Sequence, residues 1–553
     1  MIPITPTVRG LASMTTAPDT NNLTLHASLE RAAKAHPHNV CLVVGEESCT
    51  YEQLLADSYA AASYLYAHGV GPRSRVGLLV PNSFGAVQTL FACSSLGAVA
   101  VVFNTRFSSR ELAHVLADSG IDTLVVSGMR NDRIDFVGQL TSALTELGDV
   151  DLGGPIDIAS APSLKQILVR DVTPGSEAST SIAPEVLGTA TATDIALMIY
   201  TSGTTSLPKG CQLTHRSLVR GGNSIGRYRF ELTAEDRLWD PLPFFHLSFV
   251  LPFLACVDAG AGFVTQLYFE PRAALKQIDR WGVTSAWPAF PAVTEALLDH
   301  SDYTEESLKN VRVMLNVAPP DALRKLQTRT PHTVQVSAYG CSEGGGVSAV
   351  NETDESLADR VLSQGPAFPG VDIAAMDSFT GRILEPGKVG ELVIRGWGVF
   401  AGYWNDDART DEVLDASGWL HTGDRGSVDE LGRVTYRGRL KDMIKVGGEN
   451  VAALEIESVL VSHPDVLVAA VVAVPHDRLI EVPAAAVELR TGAVFDAQVL
   501  LDHCRVSLAR YKVPHYVVAK KTWPMSATKI QKYRLRDEMC VELGLESQSS
   551  APA

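Results

Sequence analysis

Ile195-Ala196-Leu197-Met198-Ile199-Tyr200-Thr201-Ser202-Gly203-Thr204-Thr205-Ser206-Leu207-Pro208-Lys209-Gly210 runs from an unbroken apolar stretch into a turn of hydroxyls, one glycine and one lysine. The apolar stretch reads as a buried strand, because a strand covered on both faces is continuously rather than alternately apolar. From Tyr200 to Gly210, eleven residues hold five Ser/Thr hydroxyls and one ammonium group. Hydroxyls, bare backbone N–H groups and a cation are what a polyphosphate tail requires. Gly203 and Lys209 stand at the spacing of the common nucleoside-triphosphatase loop, but Pro208 replaces its second glycine and Gly210 its metal-binding Ser or Thr. By composition alone the stretch also suits a flexible surface loop.

Working outward, residues 25–126 alternate helical stretches such as 52–68 with short β-branched runs such as 76–80 and 98–103, the texture of a parallel sheet covered by helices. Residues 84–103 are nearly apolar, but Gln88, Ser94, Ser95 and Gly97 interrupt them, so a buried helix entering a buried strand is expected rather than a membrane span. Residues 148–193, rich in Gly, Pro, Ser, Thr and Asp, look like an excursion between two α/β layers, and a second α/β region is expected over 195–351. Its runs Met314-Leu315-Asn316-Val317 and Val334-Gln335-Val336 end in polar turns, where ligands bind in open α/β sheets. Glycines and short alternating runs over 363–436 predict a small barrel or sandwich, and the last hundred residues a separate α+β unit. The expected class is α/β: two α/β layered subdomains and a small β-barrel in a large N-terminal domain, then a small mobile α+β domain. The expected boundaries are a tail at 1–23, the large domain at 24–438 with its β-rich part at about 352–438, the small domain at 439–541 and a tail at 542–553.

Length and composition agree with a multidomain globular chain: 553 residues, 46% hydrophobic and 20% charged. The 47 basic and 63 acidic residues leave a net charge of −16, a field that repels nucleic acid backbones. Eight cysteines without C-x-x-C spacing point away from zinc and towards a reducing, cytoplasmic setting, and the first 23 residues lack the apolar core of a signal peptide. Neither nucleic acid nor a membrane is an expected partner.

The turn is not alone. Tyr200 to Gly210 resembles the phosphate loop of the adenylate-forming superfamily, which includes acyl-CoA synthetases, peptide-synthetase adenylation domains and firefly luciferases. Pro243-Phe244-Phe245-His246 is similar to that family's aromatic-histidine motif and Ala338-Tyr339-Gly340-Cys341-Ser342-Glu343 to its adenine and magnesium motif. Gly390-Glu391-Leu392 to Gly402-Tyr403-Trp404 resembles its β-rich region, and Trp419-Leu420-His421-Thr422-Gly423-Asp424 its ribose motif. Gly438 to Lys445 is similar to the hinge motif, and Tyr511-Lys512-Val513-Pro514 and Pro524 to Lys529 close the pattern in the family's order.

The resemblance implies an enzyme that joins a carboxylate to ATP, releases pyrophosphate, and passes the acyl group to a thiol, with ATP, Mg2+ and coenzyme A as cofactors. It implies that Thr201, Ser202, Gly203, Thr204, Thr205 and Lys209 hold the phosphates, with Thr201 and Glu343 on the metal. Ser337, Ala338, Tyr339, Gly340 and Ser342 would line the adenine side, Asp424 would accept the ribose hydroxyls with Arg439 beside it, and Lys445 would belong to the same ATP site. Lys529 is the implied catalytic cation, brought in by a swing about Lys441, and the swing would exchange it for a coenzyme A segment at Gly447, Gly448 and Glu449. His246, Phe249 and Val317 would line the acyl pocket, His246 near the acyl carbonyl.

On the residues alone, Lys529, Lys532, Arg534 and Arg536 also suit a solvated basic face, Gly447-Gly448 a simple turn, and His246 a core histidine. Three departures from the family stand out: Ser206 and Thr528 where a glycine is usual, and Asn316-Val317 where Gly-Gly is usual. The last is expected to push bulk into the acyl pocket, whose expected walls, 246–253, 287–290 and Val317, are largely apolar. The leading expectation is therefore a coenzyme A ligase for a hydrophobic, bulky or aryl carboxylic acid. An acid–AMP ligase serving a carrier-protein thiol or a separate acyltransferase, and a degenerate acyl-adenylate or acyl-CoA binder, are the alternatives. The oligomeric state is left open.

Overall fold

A computed structural model describes residues 22–131, 133–148, 155–175, 187, 190–201, 207–446, 449–476, 478–526 and 529–545; of Lys441, Glu449 and Lys529 it describes the backbone only. Two seven-stranded sheets organise the larger part of the chain. The first runs Val334–Val336, Val313–Asn316, Ser285–Ala289, Arg237–Trp239, Gly262–Thr265, Val40–Val44, Glu47–Thr50; all its pairings are parallel except the last. The second runs Gly402–Tyr403, Lys209–Thr214, Ile195–Thr201, Val99–Val102, Arg75–Leu79, Thr123–Val126, Gln166–Val169, with Lys209–Thr214 antiparallel to both its neighbours.

Side-chain alternation explains how the sheets stack. Leu78, Ala100 and Val102 of the second sheet face one shared core with Leu42, Leu238 and Leu315 of the first, while Leu79 and Val101 face a separate cluster beneath the helix Ser109–Asp118. Val43, Trp239, Val264 and Met314 point the other way, onto helices that include Pro271–Arg280. The helices Phe84–Leu96 and Leu247–Ala259 fill the shared core between the sheets. Every residue of Phe84–Leu96 is buried, its first turn is capped by Ser83 and Gly97 ends it at φ 68°. Among the described residues no helix is long and apolar enough to cross a membrane, so the expected buried helix entering the strand Val99–Val102 is what forms.

The layers are not two consecutive stretches of chain, as the alternating texture suggests. The hairpin Val40–Thr50 belongs with Gly262–Thr265, and Ile195–Thr201 pairs with Val99–Val102. Nor is 148–193 only an excursion, since Gln166–Val169 is an edge strand of the second sheet. A buried parallel strand carries the same apolar pattern whichever sheet receives it, so only the crossovers decide.

The β-rich part is an antiparallel sheet ordered Val371–Met376, Gly390–Gly396, Leu420–Val428, Val434–Arg439. The chain just ahead of its first strand bonds to its last: the Gln364 amide donates to the Val434 carbonyl at 2.7 Å, and the Val434 amide to Gly365 at 2.9 Å. One segment thus reaches both edges and closes a small barrel. Residues from 443 onward build another sheet, with Ala453–Ser462 and Ala497–Ser507 on one face and Lys532–Glu542 on the other.

Candidate active site

Lys209 stands directly opposite Thr201 where Ile195–Thr201 turns back into Lys209–Thr214. The turn between them, with Ser202, Gly203, Thr204, Thr205 and Ser206, lies outside the described residues. Its flanks are well anchored. The Tyr200 hydroxyl donates to Asp118 at 2.6 Å, the Trp404 indole to the Asp118 carbonyl at 2.8 Å, and the Trp404 amide to Gly210 at 2.7 Å. Gly210 is closely packed: a Cβ there would lie 2.8 Å from the Met198 sulfur and 3.1 Å from the Trp404 Cβ, so a larger residue would have to displace them.

Lys209 Nζ lies 5.2 Å from the centre of the Tyr403 ring, and the Tyr403 hydroxyl donates to Glu343 Oε1 at 2.7 Å. Burial and the neighbouring Glu343 push the Tyr403 phenol up, so it stays a neutral donor. The expected phosphate lysine and the expected metal carboxylate thus meet across one tyrosine. Among the described residues no cluster of three or more His, Cys, Asp or Glu side chains could hold a metal ion. Glu343 therefore suits a hard divalent ion only if phosphate oxygens and water complete the shell.

Asp424, 3% exposed, is aimed by a bulge. Leu392 pairs with Asp424 but Val393 with His421, so Thr422 and Gly423 are extra residues, and Gly423 takes φ 68°. Asp424 Oδ2 accepts from the Tyr339 hydroxyl at 3.0 Å, and Arg439 Nε lies 2.9 Å from Oδ1. Burial works against the Arg439 charge, but Asp424, Tyr436, Cys341 and Glu343 together more than offset it and the guanidinium is held charged. Tyr339 is pushed well up by burial and then by Asp424, and its ring lies roughly parallel to Tyr436 at 6.1 Å. Ser337 is fully buried and its amide donates to Asn351 at 2.7 Å; Ala338–Tyr339 pairs with Ala349–Val350, and Ser342 opens the short turn Ser342–Gly344. At Gly340 a Cβ would lie 2.3 Å from the Gly346 carbonyl oxygen. Tyr403, Tyr436 and Asn351 carry no expectation from sequence, although Tyr403 lies inside a quoted motif.

His246 precedes the helix Leu247–Ala259 as its N-cap residue, half-buried against Phe245. The turn that carries it is clamped. Asn82 donates to the Leu242 carbonyl at 2.9 Å and accepts from the Phe244 amide at 2.7 Å, and Asp240 accepts from the Leu242 amide at 2.7 Å. Phe249 is only 1% exposed and packs among Phe244, Phe253 and Phe263. One expectation is corrected here. Asn316 does not intrude on the pocket, because strand alternation turns it away: it donates to Gln335 and accepts from Thr294, each at 2.9 Å, and is fully buried. Val317, just past the end of that strand, is 46% exposed.

Lys445 lies exposed on Met443–Val446, with its amide bonded to Glu481. Lys441 belongs to the turn Leu440–Asp442, Glu449 pairs with Val446, and Lys529 opens the strand Lys529–Ile530; their side chains, and Gly447, Gly448 and Thr528, lie outside the described residues. The basic face next to Lys529 is not simply solvated. Lys532 Nζ lies 2.7 Å from Glu457 and 3.7 Å from Asp442, and Arg536 reaches Glu481 at 3.9 Å.

Residues 29–404 match the model of the AMP-binding enzyme family, and residues 455–529 that of the AMP-binding enzyme C-terminal domain. The chain is 30% identical to YngI of Bacillus subtilis, assigned by name to the acyl-CoA synthetases, over 95% of this chain and 98% of that protein. It is 29% identical, over 93% and 98% of the two chains, to a Mycobacterium tuberculosis CoA ligase named for a methyl-dioxo-octahydroindenyl propanoyl group. The o-succinylbenzoate CoA synthetase of Bacillus subtilis, solved with its acyl-adenylate intermediate, superposes with a TM-score of 0.78 at 27% identity, covering 93% of this chain and 98% of that one. Ordered motifs, stacked sheets and both domain models agree, and the chain belongs to the AMP-binding enzyme family, within the adenylate-forming superfamily, as an AMP-forming acid–thiol ligase.

Proposed function

We propose that the protein activates a hydrophobic carboxylic acid, bulky or aryl in shape, by adenylation with ATP, and then transfers the acyl group to the thiol of coenzyme A. The observation that carries the reading is the stretch from Tyr339 to Glu343. Its first residue bonds to Asp424 and its last to Tyr403 beneath Lys209. Four residue steps keep the Cα atoms of Tyr339 and Glu343 within roughly 14 Å of each other, which supports reading the two ends as the ribose and phosphate sides of one nucleotide site.

In the first step a carboxylate oxygen attacks the α-phosphorus and pyrophosphate leaves with the electrons of the broken P–O bond. Negative charge grows on the transferring group, and fixed cations stabilise it more than they stabilise the ground state. Lys209 would hold the departing phosphates, and Lys529 would meet the carboxylate and α-phosphate oxygens. Thr201 and Glu343 would hold Mg2+, which supplies charge neutralisation. In the second step the thiol sulfur attacks the acyl carbonyl and AMP leaves, with the segment 447–449 beside the pantetheine arm after a turn about Lys441. Val317 at the strand end supports an apolar acyl pocket, as does a relative named for a bicyclic acid. Eight free cysteines, seven of them buried, support a reducing, cytoplasmic setting.

A carboxylic-acid panel, scored separately for ATP–pyrophosphate exchange and for coenzyme A thioester by mass, tests the reading. Apolar and aryl acids are expected to give both signals. Exchange without thioester would move the acceptor to a carrier protein or separate acyltransferase, and neither signal with any acid would leave a binding protein.

A further inference from the structure

The bulge that aims Asp424 has a brace of its own. Glu391 sits on the neighbouring strand Gly390–Gly396 and is 9% exposed. Its Oε1 accepts from the Gly423 amide at 3.0 Å, and its Oε2 lies 2.9 Å from His421 Nδ1. Between those contacts Thr422 donates its hydroxyl to the Leu392 carbonyl at 2.6 Å and accepts from the Asp424 amide at 3.1 Å. On its far side His421 Nε2 lies 3.8 Å from Asp415. Two extra residues in a strand lose their ladder partners, and an αL glycine among them adds freedom. Here the lost partners are replaced by one carboxylate and one hydroxyl. A carboxylate so nearly buried persists only with donors on both oxygens, and each Glu391 oxygen has its partner within the bulge.

We propose that Glu391 is the positioning residue for ribose recognition, holding the 421–424 bulge so that the Asp424 carboxylate meets the 2′- and 3′-hydroxyls of the nucleotide. The proposal rests on reading Asp424 as the ribose acceptor. Glu391 acts through His421 and Gly423 and touches no ligand. Its removal therefore frees the bulge and blunts the distinction between a ribose and a deoxyribose, while the acyl pocket is untouched.

The experiment measures ATP–pyrophosphate exchange with ATP, 2′-deoxy-ATP and 3′-deoxy-ATP for the wild-type enzyme, E391A and E391Q, alongside their melting temperatures. The wild type is expected to prefer ATP. Loss of two charge-assisted hydrogen bonds in E391A should raise the KM for ATP and cut that preference, each by roughly tenfold, with the KM for the carboxylic acid unchanged. E391Q should regain part of both, since its amide carbonyl can still accept from Gly423. A folded E391A that keeps the wild-type preference overturns the brace, as does an equal rise in the KM for the acid. Should E391A not fold, E391Q with an undiminished preference overturns it. A wild-type enzyme that accepts all three nucleotides alike overturns the ribose reading of Asp424 itself and the brace with it.

Discussion

Tyr403 puts its ring against the Lys209 ammonium and its hydroxyl on Glu343, and the two functions separate cleanly in Tyr403→Phe. The ring contact survives and the bond to the carboxylate does not. Exchange is expected to fall roughly tenfold, with the magnesium titration moved to higher concentration. An unchanged titration would detach Glu343 from the metal. Lys529→Ala should abolish exchange yet spare thioester formation from a supplied acyl-adenylate, and equal loss of both would remove its assigned role. Asn316 ends its strand fully buried, and Val317, next in sequence, is exposed just beyond it. Asn316→Ala should cost about 1–3 kcal/mol by leaving Gln335 and Thr294 short of a partner, with the acid preference unchanged. Val317→Gly should change the acid preference, as the carboxylic-acid panel would register. That Asn316 departs from the family pattern was legible in the sequence. The face it occupies was not, because the departure identifies a position and the pleat decides its direction.

At the scale of elements, the turn Leu440–Asp442 joins the small barrel to the C-terminal sheet, and Lys532 on the last helix reaches Asp442 at 3.7 Å. Lys441→Pro fixes a backbone dihedral in that turn. It should slow the acyl-transfer half-reaction more than adenylation in single-turnover measurements, and the reverse order would remove the case for a swing. The buried helix Phe84–Leu96 was readable from its sequence because an interrupted apolar stretch, with a serine before it and a glycine after it, carries its own start and stop signals. The bulge at Thr422-Gly423 was not, since Thr-Gly-Asp alone reads as an ordinary turn. Only the pairing of Leu392 with Asp424 and of Val393 with His421 reveals two extra residues.

The whole molecule is tied together by contacts between distant parts of the chain, one of which depends on pH. The Leu25 amide at the start of the first helix donates to His215 Nδ1 at 3.2 Å, which requires a neutral ring on that side. Burial, with His26 nearby, lowers His215 from 6.5 to about 4. The unfolded chain therefore binds a proton that the folded one refuses. Stability is fully present above pH 6.5 and falls as pH drops towards 4, by about 3 kcal/mol for this residue. Denaturant unfolding of His215→Asn, which offers an acceptor without titrating, should show a shallower loss between those values. Parallel slopes for mutant and wild type would mean that the ring stays sheltered in the unfolded chain.

The chemistry of this protein was determined by the sequence itself. A polyphosphate demands hydroxyls and cations, a ribose a carboxylate, and these residue types stand in a fixed order from 200 to 529. The class of the fold was determined there too, because helix and strand periods are local properties of the chain. Tertiary structure alone decided which sheet receives the strand Val40–Val44, which side Asn316 faces, that Phe249 is core, and that Glu391 stands behind Asp424. Each of these is a contact between residues far apart in the chain. Such contacts leave no period or spacing in the sequence, since any partner of suitable size and polarity satisfies the same local pattern.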